Sequence, residues 1–354
     1  MDKTEIVIAG DTPGAEWRIP VLKVVGKDPK APKVYMQAAL HAGELPGVAA
    51  LHFLVPMLQT AEAKGEILGD ITIVPRANPI GAAQWINGEM EGRFDLASRA
   101  NFNRDYPHVG LEARESLLSD LENLSTVDQL KRHLLHMATG SDLMLDLHCD
   151  DESQLYTYVH EAYWPQATDL AESMGLEAVL LSDGNSSAFE DSVTYAWEHG
   201  PLGNRKHWAE GRISITMEFR GTADVDPVLG RMDAEGLYAF LQRRGAIAGA
   251  PIRREEFDGP VAGLDFVQMV NSPAAGMVLF EREYGETVEK GDLLATIVTT
   301  PGDVSGDRQV LSPTDGTIVT RVGRRFLRRG DNLMKIASRE LSGAKRKPGG
   351  GLED

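Results

Sequence analysis

Apolar runs of strand length at residues 34–40, 70–75 and 142–147 alternate with stretches whose apolar residues recur at helical spacing, and this alternation constrains the fold more than any other feature. Residues 46–60 place Val48, Leu51, Leu54, Val55 and Leu58 along one side of a helix. Residues 125–139 do the same with Leu130, Leu134, Leu135 and Met137, and stop at Gly140, a suitable C-cap. Strand, helix, strand in that order favours an α/β sheet with at least one parallel pair. Further strands are expected around residues 5–8, 18–25, 155–160, 178–181 and 213–220, and further helices over 165–174 and 226–244. Residues 80–108 are rich in Gly, Asn, Arg and Asp and read as one long irregular loop, a feature that compact domains usually keep for function.

The texture changes near residue 250. From 251 to 341 short β runs recur between glycine turns, and residues 288–293 are echoed by residues 327–333, the pattern of a small all-β barrel or sandwich. The expected division is therefore a catalytic domain over 1–250 and a small β domain over 251–341. Residues 342–354, with Lys345-Arg346-Lys347 and a run of glycines, are expected to be a disordered tail.

Composition narrows the partners. A formal charge of -17 on 354 residues argues against nucleic acid or an anionic membrane, while leaving a small anionic substrate open. No apolar run is long enough to span a bilayer, and the first residues lack the apolar core of a signal peptide. Cys149 is the single cysteine and has no partner for an intrachain disulfide, so a cytoplasmic protein is the expectation. Self-association into a homo-oligomer is left open by the sequence.

In open α/β sheets ligands gather beyond the carboxyl ends of the strands. His41 follows the 34–40 run and His148 follows the 142–147 run, so both imidazoles are expected at such ends. Glu44 lies three residues after His41, a spacing that brings both side chains to one ion if Glu44 opens a helix. A catalytic zinc takes three ligands from His, Glu or Asp and keeps one position open, and His41, Glu44 and His148 supply such a set. Asp146, two residues before His148, reads either as an acceptor that orients a histidine or as a structural polar residue. Hydrolysis also needs a proton carrier. Glu218, at the end of the otherwise apolar 213–220 run, is the best candidate; its bland alternative is an ion pair with Arg220 or Lys206. Arg93, Asn103 and Arg104, all in the long loop, are suited to gripping a carboxylate or a developing oxyanion.

Taken together, His41-x-x-Glu44, Asn103-Arg104, Asp146-Leu147-His148 and Thr216-Met217-Glu218, in that order and at comparable separations, resemble the succinylglutamate desuccinylase/aspartoacylase family, a branch of the zinc carboxypeptidase-like metallohydrolases. The resemblance covers roughly residues 1 to 340. It implies a mixed, mostly parallel sheet with helices on both faces, followed by a small all-β barrel-sandwich domain. It also implies one Zn2+ per chain held by His41, Glu44 and His148, with Glu218 as general acid/base. Arg93 would polarise the scissile carbonyl, and Asn103 with Arg104 would hold a substrate carboxylate. The implied activity is hydrolysis of the amide bond of a small N-acyl amino acid or N-acyl amine.

Two departures from the family pattern stand out. Its Asp-Leu-Asn-Arg appears here as Ala100-Asn101-Phe102-Asn103-Arg104, which keeps the Asn-Arg pair and loses the preceding acid. The polarising arginine is Arg93, Arg99 or Arg76, with Arg93 preferred because Arg93-Phe94-Asp95 resembles the start of the family motif. A carboxypeptidase acting on peptides is the competing enzyme reading. A carrier-like binding protein is the third, weakened because the turn at residues 312–316 has no lysine to modify. Gly184 to Asp191, with Tyr156 or Tyr158, are candidates to line the pocket, and nothing in them names the acyl group.

Overall fold

The computed structural model describes residues 1–200, 208–252, 255–342 and 352; the expected disordered tail falls outside the described residues except for Ser342 and Leu352. The alternating apolar runs become β1 (Asp2–Ala9), β2 (Glu16–Val24), β3 (Val34–Ala38), β4 (Ile71–Val74), β5 (Leu143–Asp150), β6 (Leu155–His160), β7 (Ala178–Ser182), β8 (Ile213–Gly221) and β9 (Val261–Gly263). They form one nine-stranded sheet in the order β1-β2-β4-β3-β5-β8-β6-β7-β9. β3 pairs in parallel with β4 and β5, β5 with β8, and β7 with β6 and β9. The β1–β2, β2–β4 and β6–β8 pairs are antiparallel, so the sheet is mixed and mostly parallel. Its ninth strand comes from beyond residue 250.

Helices cover both faces. α1 (Pro46–Ala63), α3 (Thr168–Met174) and α5 (Pro227–Arg243) form one layer, and α2 (Thr126–Thr139) packs with α4 (Phe189–Glu198) in the other. α2 starts where Ser125 accepts a hydrogen bond from the Asp128 N–H at 3.1 Å and ends at Gly140, as its sequence predicts. α4 is a helix that the apolar pattern does not announce: it is only 10 residues long and opens with Glu190 and Asp191. Residues 80–108 also carry more order than expected, with a helical turn at Pro79–Ala82 and a small hairpin pairing Trp85–Ile86 with Glu89–Met90.

After the main sheet, two small antiparallel sheets face each other. One holds β10 (Val267–Asn271), β14 (Gly316–Arg321) and β15 (Asn332–Ser338); the other holds β11 (Gly276–Phe280), β12 (Leu293–Val298) and β13 (Arg308–Leu311). Val278, Leu294, Ile297, Ile318, Leu333 and Ile336 fill the space between them. The sequence echo has a common turn chemistry. Gly291 and Gly330 take φ of 96° and 91°, which suits glycine, and the following aspartates each accept a backbone N–H, Asp292 from Glu289 and Asp331 from Arg328.

This β unit is bolted to the main sheet just downstream of His148. The short strand Glu152–Ser153 pairs antiparallel with β14. Lys335 Nζ donates to Asp150 Oδ2 at 2.6 Å, and Glu152 accepts from both Arg321 and Arg325. Lys335 is 3% exposed, so this ion pair lies inside the junction and not on its rim. Among the described residues, no helix is long and apolar enough to cross a membrane.

Candidate metal centre and active site

β3 ends at Ala38, and Ala39 takes a left-handed φ of 56°, an uncommon conformation for a residue with a Cβ. The turn is held from outside. Asn78, fully buried, donates from Nδ2 to Leu40 O at 2.9 Å, and Ala77 N–H donates to Ala38 O at 2.9 Å. Ala42 N–H donates to Gly92 O at 3.0 Å, and a Cβ at Gly92 would stand 2.7 Å from Ala42 Cβ, so only glycine lets that loop lie so close. The backbone of His41 is thus fixed on both sides.

Glu44 does not open a helix. Its N–H closes a turn on His41 O at 3.0 Å, and α1 begins two residues later at Pro46, where a fixed φ and a missing N–H suit the first helical position. The i,i+3 pair therefore meets across a turn. Gly47 then brings α1 onto β5: a Cβ there would stand 2.6 Å from Leu147 Cβ, one residue before His148. That close approach carries Glu44 to His148.

The three side chains converge with ligand atoms within 4.8 Å of one another, and all three are buried. Glu44 Oε1 is 2.9 Å from His41 Nδ1, and its Oε2 is 2.7 Å from His148 Nδ1. Each imidazole is held at its far nitrogen. His148 Nε2 meets Asp146 Oδ2 at 2.9 Å, and His41 Nε2 meets Asn101 Oδ1 at 2.9 Å. Behind Asp146, Gln37 Nε2 donates to Oδ1 at 3.0 Å and is itself fixed by Tyr35 OH at 2.8 Å. Asp146 is therefore the orienting acceptor and not merely a structural polar residue.

These donors fit a divalent cation. Burial pushes the His41 pKa down against the pull of Glu44, so the ring is neutral near pH 7 and its one proton lies on Nε2, toward Asn101. The Nδ1 lone pair then faces a carboxylate oxygen of Glu44, which its two histidine neighbours hold ionised, well below the ordinary range, against the effect of burial. Two lone pairs so close need positive charge beside them; Arg93 Nη1 supplies it from one side, and a metal ion would satisfy both together with His148. Two imidazoles and one carboxylate are a zinc donor set. His148 differs from His41: burial opposes its charge, but Asp146 and Glu44 outweigh burial and raise its pKa well above the ordinary value. A cation arriving there displaces a proton.

Glu218 lies beside the trio because it is the register partner of His148 across the parallel β5–β8 pair. Its Oε2 is sealed from solvent with no hydrogen-bond partner, and burial, reinforced by Glu44 and Asp150, pushes its carboxyl up to about 8. Arg220 does not pair with it; that guanidinium is taken by Asp233. Lys206 lies outside the described residues. A carboxyl poised this high can carry a proton in either direction near neutral pH.

The loop residues close over the metal end. Arg93 Nη1 donates to Glu44 Oε1 at 3.2 Å and stands 3.3 Å from His41 Nδ1. Arg93 lines the same cavity as the three ligands, whereas Arg76 and Arg99 are absent from its wall among the described residues. Asn103 is buried and accepts the Phe189 N–H on Oδ1 at 2.9 Å, which leaves its Nδ2 as the donor it can offer a ligand. Arg104 is anchored through Nη1 on Asn103 O at 2.8 Å and lines the cavity beside Asn103.

The cavity measures about 870 Å³ and is completed by β10, β14 and β15 through residues such as Met269, Thr320 and Lys335. Tyr158 is in its wall; Tyr156 sits behind, donating to Asp150 Oδ2 at 2.9 Å. From the 184–191 segment, Ser186, Ala188, Glu190 and Asp191 reach the wall. Glu190 was not singled out from sequence, yet its Oε2 is sealed and unpartnered and burial with Asp191 raises its carboxyl to about 7. Asn101 and Gln37 were also missed as partners of the site. Gln37 had a signal, a polar side chain inside an otherwise apolar central strand; Asn101 had none beyond the motif it belongs to.

Comparisons with known proteins identify the family and the fold. A family model described as the succinylglutamate desuccinylase/aspartoacylase catalytic domain matches residues 30–244. Among solved structures, a protein from Shewanella amazonensis SB2B assigned to the succinylglutamate desuccinylase/aspartoacylase family superposes with a TM-score of 0.84 at 24% identity, covering 96% of this chain and 99% of its own. A second, from Shewanella frigidimarina NCIMB 400 and given the same assignment, superposes with a TM-score of 0.83 at 23% identity, covering 96% and 97%. The product-bound ectoine utilization protein EutE (DoeB) from Ruegeria pomeroyi follows at 0.71 and 17% identity, covering 95% and 94%. No curated protein matches the sequence. The matched span runs from just before β3 to the end of α5 and contains both histidines, Glu44 and Glu218, and the chain belongs to the succinylglutamate desuccinylase/aspartoacylase family of zinc-dependent deacylating hydrolases.

Proposed function

We propose that this protein is a zinc deacylase that hydrolyses the amide bond of a small N-acyl amino acid or N-acyl amine. The observation that carries the reading is the convergence of His41, Glu44 and His148 in the wall of one cavity, with Glu218, whose Oε2 has no hydrogen-bond partner, on the neighbouring strand. Zinc bound to the trio supplies Lewis acidity toward water and toward the scissile carbonyl. Glu218 accepts the proton that the attacking water gives up and returns it to the nitrogen of the departing amine. Arg93, reaching over the ligands, is placed to stabilise negative charge on the former carbonyl oxygen. Asn103 Nδ2 and the Arg104 guanidinium hold a substrate carboxylate by directed hydrogen bonds.

β10, β14 and β15 add a wall to the cavity, which supports a small substrate over a long peptide. A screen of N-acyl amino acids and N-acyl diamines with zinc-loaded protein, reading released amine, tests the assignment. Release from one of these classes is the expected result. Trimming of peptides in the absence of any such release would replace it with the carboxypeptidase reading.

A further inference from the structure

The two histidines of the trio are held by different kinds of partner. His148 Nε2 faces a carboxylate, Asp146, which is fully buried. His41 Nε2 faces the side-chain amide of Asn101. The orientation of that amide follows from its other contact: Asn101 Oδ1 accepts the backbone N–H of Asn103 at 2.8 Å, and a backbone N–H can only donate. The atom facing His41 is therefore the amide oxygen, and His41 Nε2 must be the donor. The opposite face of the ring gives the same answer, because Arg93 Nη1, which can only donate, stands 3.3 Å from His41 Nδ1.

We propose that Asn101 is a positioning residue for the metal centre: its side-chain oxygen fixes His41 as the Nε2–H tautomer, so that Nδ1 points at the ion, and does so with a neutral acceptor where Asp146 gives His148 an anionic one. A neutral acceptor draws less on the N–H than a carboxylate does, so the His41 imidazole is the weaker base of the pair. The centre thus has one strong and one weak nitrogen ligand, and residue 101 sets the weaker one. Asn101 reaches His41 because the Phe94 and Asn101 backbones bridge and because buried Phe102 anchors the segment, donating its N–H to Arg93 O at 3.2 Å. The same fold-back that seats Asn101 thereby brings Arg93 to the ligands.

This inference rests on the zinc reading, and its test separates the two. Zinc affinity is measured by competition with a chromophoric chelator for the wild type, Asn101→Asp and Asn101→Leu, alongside 15N NMR of the zinc-loaded proteins labelled at histidine. Asn101→Asp keeps an acceptor for Asn103 N–H and should bind zinc about tenfold more tightly. Asn101→Leu should bind about 10- to 100-fold more weakly, and its His41 Nε2 proton, slow to exchange in the wild type and in Asn101→Asp, should exchange rapidly. Equal affinities in all three proteins with the Nε2 proton retained in Asn101→Leu would overturn the role of Asn101. A wild type that takes up no zinc would overturn the metal reading itself. If Asn101→Leu fails to fold, Asn101→Asp alone decides, since affinity no greater than that of the wild type contradicts the proposal.

Discussion

Glu218 and His148 face each other in register across two central parallel strands, β8 and β5, so the proposed proton carrier and a candidate metal ligand are placed by a single backbone pairing. Glu218 also lies directly beside Tyr156 of β6, on its other flank. Its carboxyl sits between three strands and has no partner for Oε2. Glu218→Gln keeps the shape and removes the titrating group. Turnover should fall by at least two to four orders of magnitude while bound zinc stays near one per chain, as read by elemental analysis beside the rate assay. A variant retaining wild-type turnover would remove Glu218 from the chemistry.

Gly47 and Gly43 bracket Glu44 but meet different surroundings. A Cβ on Gly47 would collide with Leu147, whereas a Cβ on Gly43 would meet nothing within 4 Å. Gly47→Ala should cost about 1–3 kcal/mol by overpacking and weaken zinc binding by lifting Glu44 away from His148. Gly43→Ala should leave zinc affinity unchanged. Urea denaturation and a chelator titration of both variants check the contrast.

The Lys335–Asp150 pair is buried on the Lys335 side and joins β15 to the end of β5. Lys335→Met leaves the Asp150 carboxylate with the Tyr156 hydroxyl and the Asp151 N–H and without its cation. Stability should drop by about 1–3 kcal/mol, the cost of leaving a partly buried charged group without its ionic partner. A double variant, Lys335→Met with Asp150→Leu, should recover part of the loss. Chemical denaturation of the wild type, the two single variants Lys335→Met and Asp150→Leu, and the double variant supplies the cycle.

Glu190 provides the pH dependence. Its carboxyl is raised to about 7 in the folded protein, first by burial and then by Asp191, against an ordinary value of 4.5. Between those values the folded state holds a proton that the unfolded chain has released. The contribution is therefore intact below pH 4.5 and is lost as pH rises to 7. Glu190→Gln cannot lose it, so the variant should gain on the wild type by on the order of 2 kcal/mol between pH 5 and pH 8. Urea midpoints at the two pH values check the sign; a variant that gains nothing at the higher pH contradicts it.

Much of this arrangement was legible in the sequence because its signals are local. The runs at 34–40, 142–147 and 213–220 read as strands, and a ligand or base at the end of each reads as a site. What was not legible depends on where separate segments meet. The helix begins at Pro46, where the apolar spacing starts, but the turn through which Glu44 meets His41 without belonging to that helix is set by contacts the spacing does not carry. Asn101 shows its role only when the long loop folds back over His41. α4 escaped notice because an acidic first turn masks its short apolar face, Val193, Ala196 and Trp197. The same helix seats Asn103 through the Phe189 N–H, a tie between residues 86 positions apart that no local pattern encodes.

The bolts between the β unit and the main sheet lie two and four residues after His148, at Asp150 and Glu152. The cavity wall built by β14 and β15 and the candidate ligand His148 thus share one short link. Any shift of that wall would act on the strand that carries His148, because no flexible segment separates the two.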